Sequence, residues 1–583
     1  MSLADLIPGR LPPGFRWVGE AMWSLEHAFE RSKAADRPED DTRIRIFFVL
    51  AIFTFAFGVL GIGAVRSAVF SDAARSGGWG GPVAGARADL VDRHGQLLAL
   101  DLTHYGLYLD PAEVWDVPAT RQALLRTLPE LESRRLERAL RANKRSYLIG
   151  ALTPQERDRV HHLGLPGIYF EEEQRRVYPL GPLAAHLIGF TDSGGVGLAG
   201  VERALNEEIQ NASVGHGQVP LSIDLRVQAA LEEELQNAAL AHNPKGAVGI
   251  VTNVHTGEIL AMASYPDFDP NDAGQASNDA RLNRAAAAVF EMGSTFKAFT
   301  VAIGLDAGVA TPSSTFDATQ PFQLGYRTIR DYHGTNRVLT LVDVFIHSSN
   351  IGTAKLADAI GAQRLEKYFT GLGLTRPAQV ELQESARPLT PRVWDEDAVA
   401  STSFGHGMNV TPLALAAAYN TILNGGVNVP LTIRRQPAGY RPKGERVMSE
   451  ETSLTMLQIM RANVERGTGG KADAEGLSVG GKTGTGEKYD PEIRGYSTTK
   501  QVSSFAAVFP TDGPIDAPRY FVLILLDEPK GNAETFGFST GGWVAAPAAG
   551  KVIDRIAPFL DVHRREPAPL AVAQYVTGPE DGH

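Results

Sequence analysis

Residues 46–65 read IFFVLAIFTFAFGVLGIGAV, twenty positions without a charge, and no other stretch limits the chain's options as sharply. A run of about 20 apolar residues is long enough, as a helix, to cross a hydrocarbon layer of ~30 Å. A helix in the core of a globular domain keeps a polar stripe, whereas this run is apolar all round, so the sequence predicts one membrane-spanning helix. A cleaved signal peptide is disfavoured because 45 residues precede the run and no small-residue cleavage site closes it. Arg31, Lys33, Arg37, Arg43 and Arg45 lie just before the span, against Arg66 and Arg75 after it. An excess of basic residues marks the cytoplasmic side, which places the N-terminus inside and the bulk of the chain outside, in a compartment without ATP or nicotinamide pools.

A chain of 583 residues exceeds one ordinary core and predicts several domains. Its net charge of −11, with no Lys/Arg-rich block, gives no field to hold phosphate backbones, so nucleic acid is not an expected partner. The absence of Cys excludes disulfides, thiol catalysis and Cys-type zinc sites. His161-His162 and the scattered single histidines lack metal spacing; no metal or cofactor is expected.

The organisation reads as a cytoplasmic tail (1–45), the spanning helix (46–65), a Gly-rich stalk (66–86, containing SGGWGGPVAGA), an α+β module without a reactive cluster (87–243), a larger second domain (244–565) and a C-terminal tail (566–583). The second domain opens with GAVGIVTN and EILAMASY, two apolar strands joined by the turn around His255–Gly257, which predicts a hairpin. Three more strand-like runs follow a long helical middle: LSVGGKTGT, QVSSFAAVFP and RYFVLILLDE, and then the amphipathic WVAAPAAGKVIDRIAPFL. The expectation is an α/β domain built on one five-stranded antiparallel sheet flanked by helices, with the helical insert on one side.

Three short patterns occur in order inside that domain: Ser294-Thr-Phe-Lys297, Ser348-Ser-Asn350 and Lys482-Thr483-Gly484-Thr485. Ser294 and Lys297, three apart, share a helix face, where the amine reaches the hydroxyl. A serine is a poor nucleophile until a base takes its proton, and a buried lysine with a lowered pKa serves as that base. The bland alternative is a serine capping a helix above a solvated lysine. Ser348-Ser-Asn350 reads as a turn between two apolar helices, from which Ser348 can relay a proton and Asn350 can bond both the lysine and a substrate amide. Ordinary turn chemistry is its alternative. The Gly-flanked Lys482-Thr483-Gly484-Thr485 reads as an edge strand that lets a peptide lie alongside, with the amine and hydroxyls holding a carboxylate. The backbone N–H groups of Ser294 and Thr485 are the expected oxyanion donors.

Together these residues resemble the active site of the penicillin-recognising serine transferases, the penicillin-binding proteins and serine β-lactamases. The resemblance extends beyond the motifs. Arg87 with Asp89 and DRHG (92–95), RRVYP (175–179), HLIGF (186–190) and GLAGVE (197–202) resemble the N-terminal pedestal, or dimerisation-type, module of class B penicillin-binding proteins. Length, SSN and FGHGMNVTPL are similar to the division-type (FtsI) family. Met292, where many relatives carry Pro, and Gly486, where Ala is usual, are small departures.

The resemblance implies a peptidoglycan D,D-transpeptidase in which Ser294 attacks the penultimate D-Ala carbonyl of a stem peptide, D-Ala leaves and a neighbouring amine resolves the ester. It also implies covalent reaction with β-lactams, an inner-membrane location with the catalytic domain periplasmic, and a SEDS-type lipid-II polymerase and other division proteins as partners. Alternatives left open are an elongation-type role, a D,D-carboxypeptidase or β-lactam hydrolase, and a non-catalytic scaffold or sensor; for a sensor, the 45-residue N-terminus is short. A dinucleotide-type Gly195-x-Gly197-x-x-Gly200 with Asp224 reads as a chance match.

Overall fold

The computed structural model describes residues 87–577, apart from 214–216, 333, 491, 494 and 567, together with Phe53. The rest of the expected spanning helix, the tail before it, the stalk and residues 578–583 lie outside the described residues. Among the described residues no helix is long and apolar enough to cross a membrane.

The first module is built on β1 (Asp89–Val91), β2 (Leu97–Leu109), β3 (Ser146–Leu152), β4 (Ile168–Val177) and β5 (Gln218–Pro220). The long β2 organises it, pairing antiparallel with β1, β3 and β4, while β1 pairs parallel with β5. Helices α1 (Val117–Thr127), α2 (Ser133–Leu140) and α3 (Pro154–His161) cover the far end around Leu107, Leu109, Leu124, Leu136, Leu148 and Val160. Their starts follow from sequence: Asp116 accepts from Ala119 N, and Thr153 with Glu156 forms a reciprocal capping box ahead of Pro154. At the near end Arg87 and Arg176 both bond the fully buried Glu202, and Arg176 also bonds Asp101. This ion network absorbs the residues of the glycine-rich 195–200 stretch: Gly195 O accepts from Arg87. Asp224, the acidic residue of that chance match, caps the next helix and bonds His94 and Arg226.

Helix α4 (Leu225–His242) leads into β6 (Gly246–Asn253) and β7 (Ile259–Tyr265). A helical region follows, containing α5 (Lys297–Asp306), α6 (Leu341–Ile346), α7 (Asn350–Ile360), α8 (Pro412–Leu423) and α9 (Glu450–Arg466). The chain then supplies β8 (Gly480–Asp490), β9 (Gly495–Phe509), β10 (Tyr520–Asp527) and α10 (Ala545–Ile556). The sheet order is β8-β9-β10-β6-β7, antiparallel throughout, as the five apolar runs predict.

Alternation along β10 divides the core. Val522, Ile524 and Leu526 face α4 and α10, while Phe521, Leu523 and Leu525 face the helical region. A strand buried on both faces reads as an unbroken apolar run, which is why RYFVLILLDE shows no polar alternation. Helix α4, which ends the 87–243 stretch, packs with this second sheet: Val227, Leu231 and Leu235 share a core with α10. The Gln228 amide bonds both the N–H and the C=O of Met262 on β7, 2.9 Å each, satisfying backbone that an edge strand leaves free.

Candidate active site

β8 is the edge strand opposite β7, and the three motifs meet there. Gly293–Phe296 forms a 3-10 turn that runs into α5, carrying Ser294 half-buried at the surface and Lys297 fully buried one turn on. Gly293 is required: its φ is +54°, and a Cβ there would stand 2.4 Å from Thr485 O on β8. The turn is anchored from behind, where Gly293 N donates to Gly405 O at 3.2 Å and Tyr419 OH donates to Thr295 O at 2.7 Å. Ser294 caps nothing, since the turn has no side-chain cap bond; the bland reading of Ser-x-x-Lys as a capped helix does not describe this segment.

Lys297 Nζ donates to Asn350 Oδ1 at 2.7 Å, to Ser348 O at 2.5 Å and to Ser348 Oγ at 3.1 Å. Ser348 occupies the expected turn between α6 and α7, held in left-handed backbone at φ +56°. Ser349, between the two motif residues, caps α7 by accepting from Gly352 N and donates to Asp331 Oδ2 at 2.8 Å. Asp331 also accepts from Ile351 N at 3.0 Å, so one carboxylate ties the turn to the start of α7. Asn350 turns its amide nitrogen to Arg330 O at 3.0 Å.

Lys482 reaches Ser348 from the other side, its Nζ 3.0 Å from the same Oγ. It also meets Thr483 O at 3.1 Å and Thr483 Oγ1 at 3.3 Å, and lies 5.7 Å from the centre of the Phe345 ring. Thr483 Oγ1 is shared with Thr468 Oγ1 at 2.8 Å, and Thr485 Oγ1 accepts from Gly541 N at 3.2 Å. Among the described residues neither lysine has a carboxylate in contact. Burial lowers the Lys297 pKa to about 7, with Asp331 pulling weakly the other way. Burial, and then the neighbouring Lys297, push the Lys482 pKa well down. At neutral pH an amine that can accept a proton stands beside the Ser348 hydroxyl, with a half-exposed serine one helical turn away.

The eight expected residues fall on one site: Ser294 and Lys297 on the turn and α5, Ser348 and Asn350 between α6 and α7, Lys482, Thr483, Gly484 and Thr485 on β8. Hydrogen bonds join Lys297, Ser348, Asn350, Lys482 and Thr483; the Ser294 hydroxyl is not bonded to Lys297 in this arrangement. Sequence reasoning missed Asp331, Tyr419 and Thr468, and took the FGHG segment at 404–407 only as a family likeness, although its Gly405 backs the nucleophile turn. It also missed Glu291, which accepts from Tyr496 OH at 2.9 Å and Gly407 N at 3.1 Å beside the turn. At Gly486 a Cβ would sit 2.2 Å from Glu291 O, so the alanine usual in relatives requires a shift of that carbonyl.

A half-exposed serine, two buried lysines and an edge strand on a five-stranded antiparallel sheet define the penicillin-recognising serine acyltransferases as the class. Comparison with known proteins agrees: the family model "Penicillin binding protein transpeptidase domain" matches residues 247–554, and "Penicillin-binding Protein dimerisation domain" matches 82–217. The chain is 66% identical to the probable peptidoglycan D,D-transpeptidase FtsI of Caulobacter vibrioides, covering 100% of each. It is 31% identical to the peptidoglycan D,D-transpeptidase FtsI of Escherichia coli K12, covering 82% of this chain and 84% of that one. The crystal structure of penicillin-binding protein 3 from Mycobacterium tuberculosis complexed with aztreonam superposes with a TM-score of 0.64 at 26% identity, over 83% of this chain and 98% of that chain. The chain belongs to the FtsI family of class B penicillin-binding proteins.

Proposed function

We propose that the chain is a peptidoglycan D,D-transpeptidase that cross-links stem peptides through an acyl-enzyme on Ser294 during septal wall synthesis, and that β-lactams acylate the same serine. The observation that carries this reading is the convergence of Lys297 and Lys482 on one serine hydroxyl, 3.1 and 3.0 Å away, at the edge strand beside Ser294. Neutral Lys297 takes the Ser294 proton as Oγ attacks the carbonyl of the penultimate D-Ala. The backbone N–H groups of Ser294 and Thr485 receive the oxyanion, a role supported by the packing of Gly293 directly on Thr485. Ser348, between the two lysines, passes a proton to the departing D-Ala amine, and Asn350 fixes Lys297 and faces the substrate amide. The donor peptide lies along the free edge of β8, with its terminal carboxylate on Lys482, Thr483 and Thr485, while Gly484 lets the Met292–Thr295 segment pack directly on the strand. An amine of a second stem then attacks the ester, and the Ser294 hydroxyl is restored.

The apolar run at 46–65 and the basic residues before it support a single-pass anchor in the inner membrane, with the N-terminus cytoplasmic and the catalytic domain periplasmic. A SEDS-type lipid-II polymerase and other division proteins are the proposed partners of the anchor and the first module; this follows from the family resemblance. Incubating the full chain with purified stem pentapeptides and separating the products tests the reaction. Cross-linked dimers with free D-Ala support the reading; tetrapeptide and D-Ala without dimers point to a carboxypeptidase, and no D-Ala release to a scaffold.

A further inference from the structure

The segment after α10 does not trail away as a tail. Residues Ala571–Tyr575 form a 3-10 turn, Val572 is buried in the main core, and Leu570, Tyr575 and Val576 pack on that core. Its last described residues grip α6, the six-residue helix that delivers the Ser348 turn. Thr340, the N-cap of α6, accepts from Asp343 N at 3.0 Å and donates its own hydroxyl to Tyr575 O at 2.7 Å. Asp343 is 0% exposed, and among the described residues its carboxylate has no partner except Thr577, whose N–H stands 3.2 Å from each oxygen and whose Oγ1 donates at 2.5 Å. Arg337 completes the clasp: one guanidinium nitrogen bonds Thr577 O and another lies 3.0 Å from Nε2 of His347, the residue before Ser348.

A buried carboxylate must be paired, because an unpaired one carries the full desolvation cost of its charge. Here the pairing donors come from 234 residues away in sequence. They sit on a segment outside the 247–554 stretch matched as the transpeptidase domain. Nothing in the acyl transfer uses Asp343, so its burial needs a separate account. If Thr577 is lost, the buried Asp343 carboxylate loses these donors and the start of α6 must rearrange to give it others. That rearrangement acts on α6, whose other end sets the left-handed Ser348 between the two lysines.

We infer that residues 570–577 are a positioning strap for the Ser348 turn, with Thr577 and Asp343 as the positioning pair. The inference rests on the reading of Ser348 as the proton relay. The strap touches no substrate and acts on the rate of acylation through the placement of the Ser348 hydroxyl. Binding or cleavage at this segment therefore sets the activity of a site it does not line.

The test uses the full chain in detergent and a fluorescent penicillin, reading the acylation rate constant at saturation, the half-saturating concentration and the thermal unfolding midpoint. Thr577→Pro removes both donors to Asp343, and a chain ending at Pro569 removes the strap. Both are expected to acylate about tenfold or more slowly at saturation with half-saturation little changed, while Thr577→Ser, which keeps both donors, acylates normally. Asp343→Asn in the shortened chain is expected to recover much of the lost rate, because the charge that needed pairing is gone. Val552→Ala, in the core on the other side of the sheet, supplies a comparable loss of midpoint at normal acylation. Full-rate acylation by the shortened chain while Ser348→Ala is slow would overturn the strap alone. Rate losses that merely follow the midpoint, Val552→Ala included, would overturn it too. Normal acylation by Ser348→Ala would remove the relay and the strap together.

Discussion

The molecule buries cations in two places and treats them in opposite ways. In the first module Arg87 and Arg176 converge on Glu202, with Asp101 behind, and the pair Arg87–Glu202 is 0% exposed on both sides. Burial works against the Arg176 charge, but Glu202 and Asp101 outweigh it and hold its pKa above the ordinary value. In the second module Lys297 and Lys482 are just as deeply buried, yet they meet hydroxyls, carbonyls and the Asn350 amide oxygen. Their pKa values move down. Paired charges fix a geometry and leave no proton to move, whereas unpaired amines at low pKa are an unfavourable element of the fold that serves proton transfer. The same burial thus gives a structural clamp in one module and, in the proposed mechanism, a base in the other, and the carboxylate decides which.

The widest separation is expected from Lys297→Ala. Penicillin acylation should fall by about 10²–10⁴-fold, the usual weight of a general base, with the thermal midpoint unchanged or higher because a buried amine without a carboxylate partner is removed; stopped-flow labelling and calorimetry check both. Glu202→Ala should do the reverse. Stranding the buried Arg87 guanidinium, and leaving Arg176 with Asp101 alone, costs about 3–5 kcal/mol, seen as a lower denaturation midpoint, while the acylation rate per folded molecule stays the same. A rate loss as large as that of Lys297→Ala would erase the distinction. The pH profile sharpens it further. A lysine whose pKa is lowered to about 7 is protonated below that pH and neutral above it, so the acylation rate should rise with pH, about tenfold per unit below pH 7, and level off above. The smallest effect is expected at Thr483→Val, which removes one of the hydroxyls proposed to hold the donor carboxylate and should weaken donor binding by about tenfold without changing the saturated rate.

Much of the second module was legible because its signals are local. Five apolar runs gave five strands, and the doubly buried β10 stands out by its lack of alternation. Ser294 to Lys297 is a one-turn spacing, and glycines mark β8 as an edge. What the sequence concealed is carried by distance along the chain. Lys297 and Lys482 lie 51 and 134 residues from the Ser348 they share, and Tyr419 lies 124 residues from the Thr295 carbonyl it holds. No periodicity encodes such meetings. The packing of α4 on the second sheet, through Val227, Leu231 and Leu235, is hidden for the same reason, since an amphipathic helix between two modules fits either. Asn350 was half legible: its oxygen holds Lys297 as expected, while its nitrogen donates to Arg330 O.

The central claim is that Ser294 becomes covalently acylated. The direct measurement incubates the full chain with a fluorescent penicillin, digests it and locates the label by peptide mass spectrometry, with Ser294→Ala alongside. The account predicts one stable adduct on Ser294 and none in the variant. Label on another residue, or equal labelling of Ser294→Ala, would contradict it.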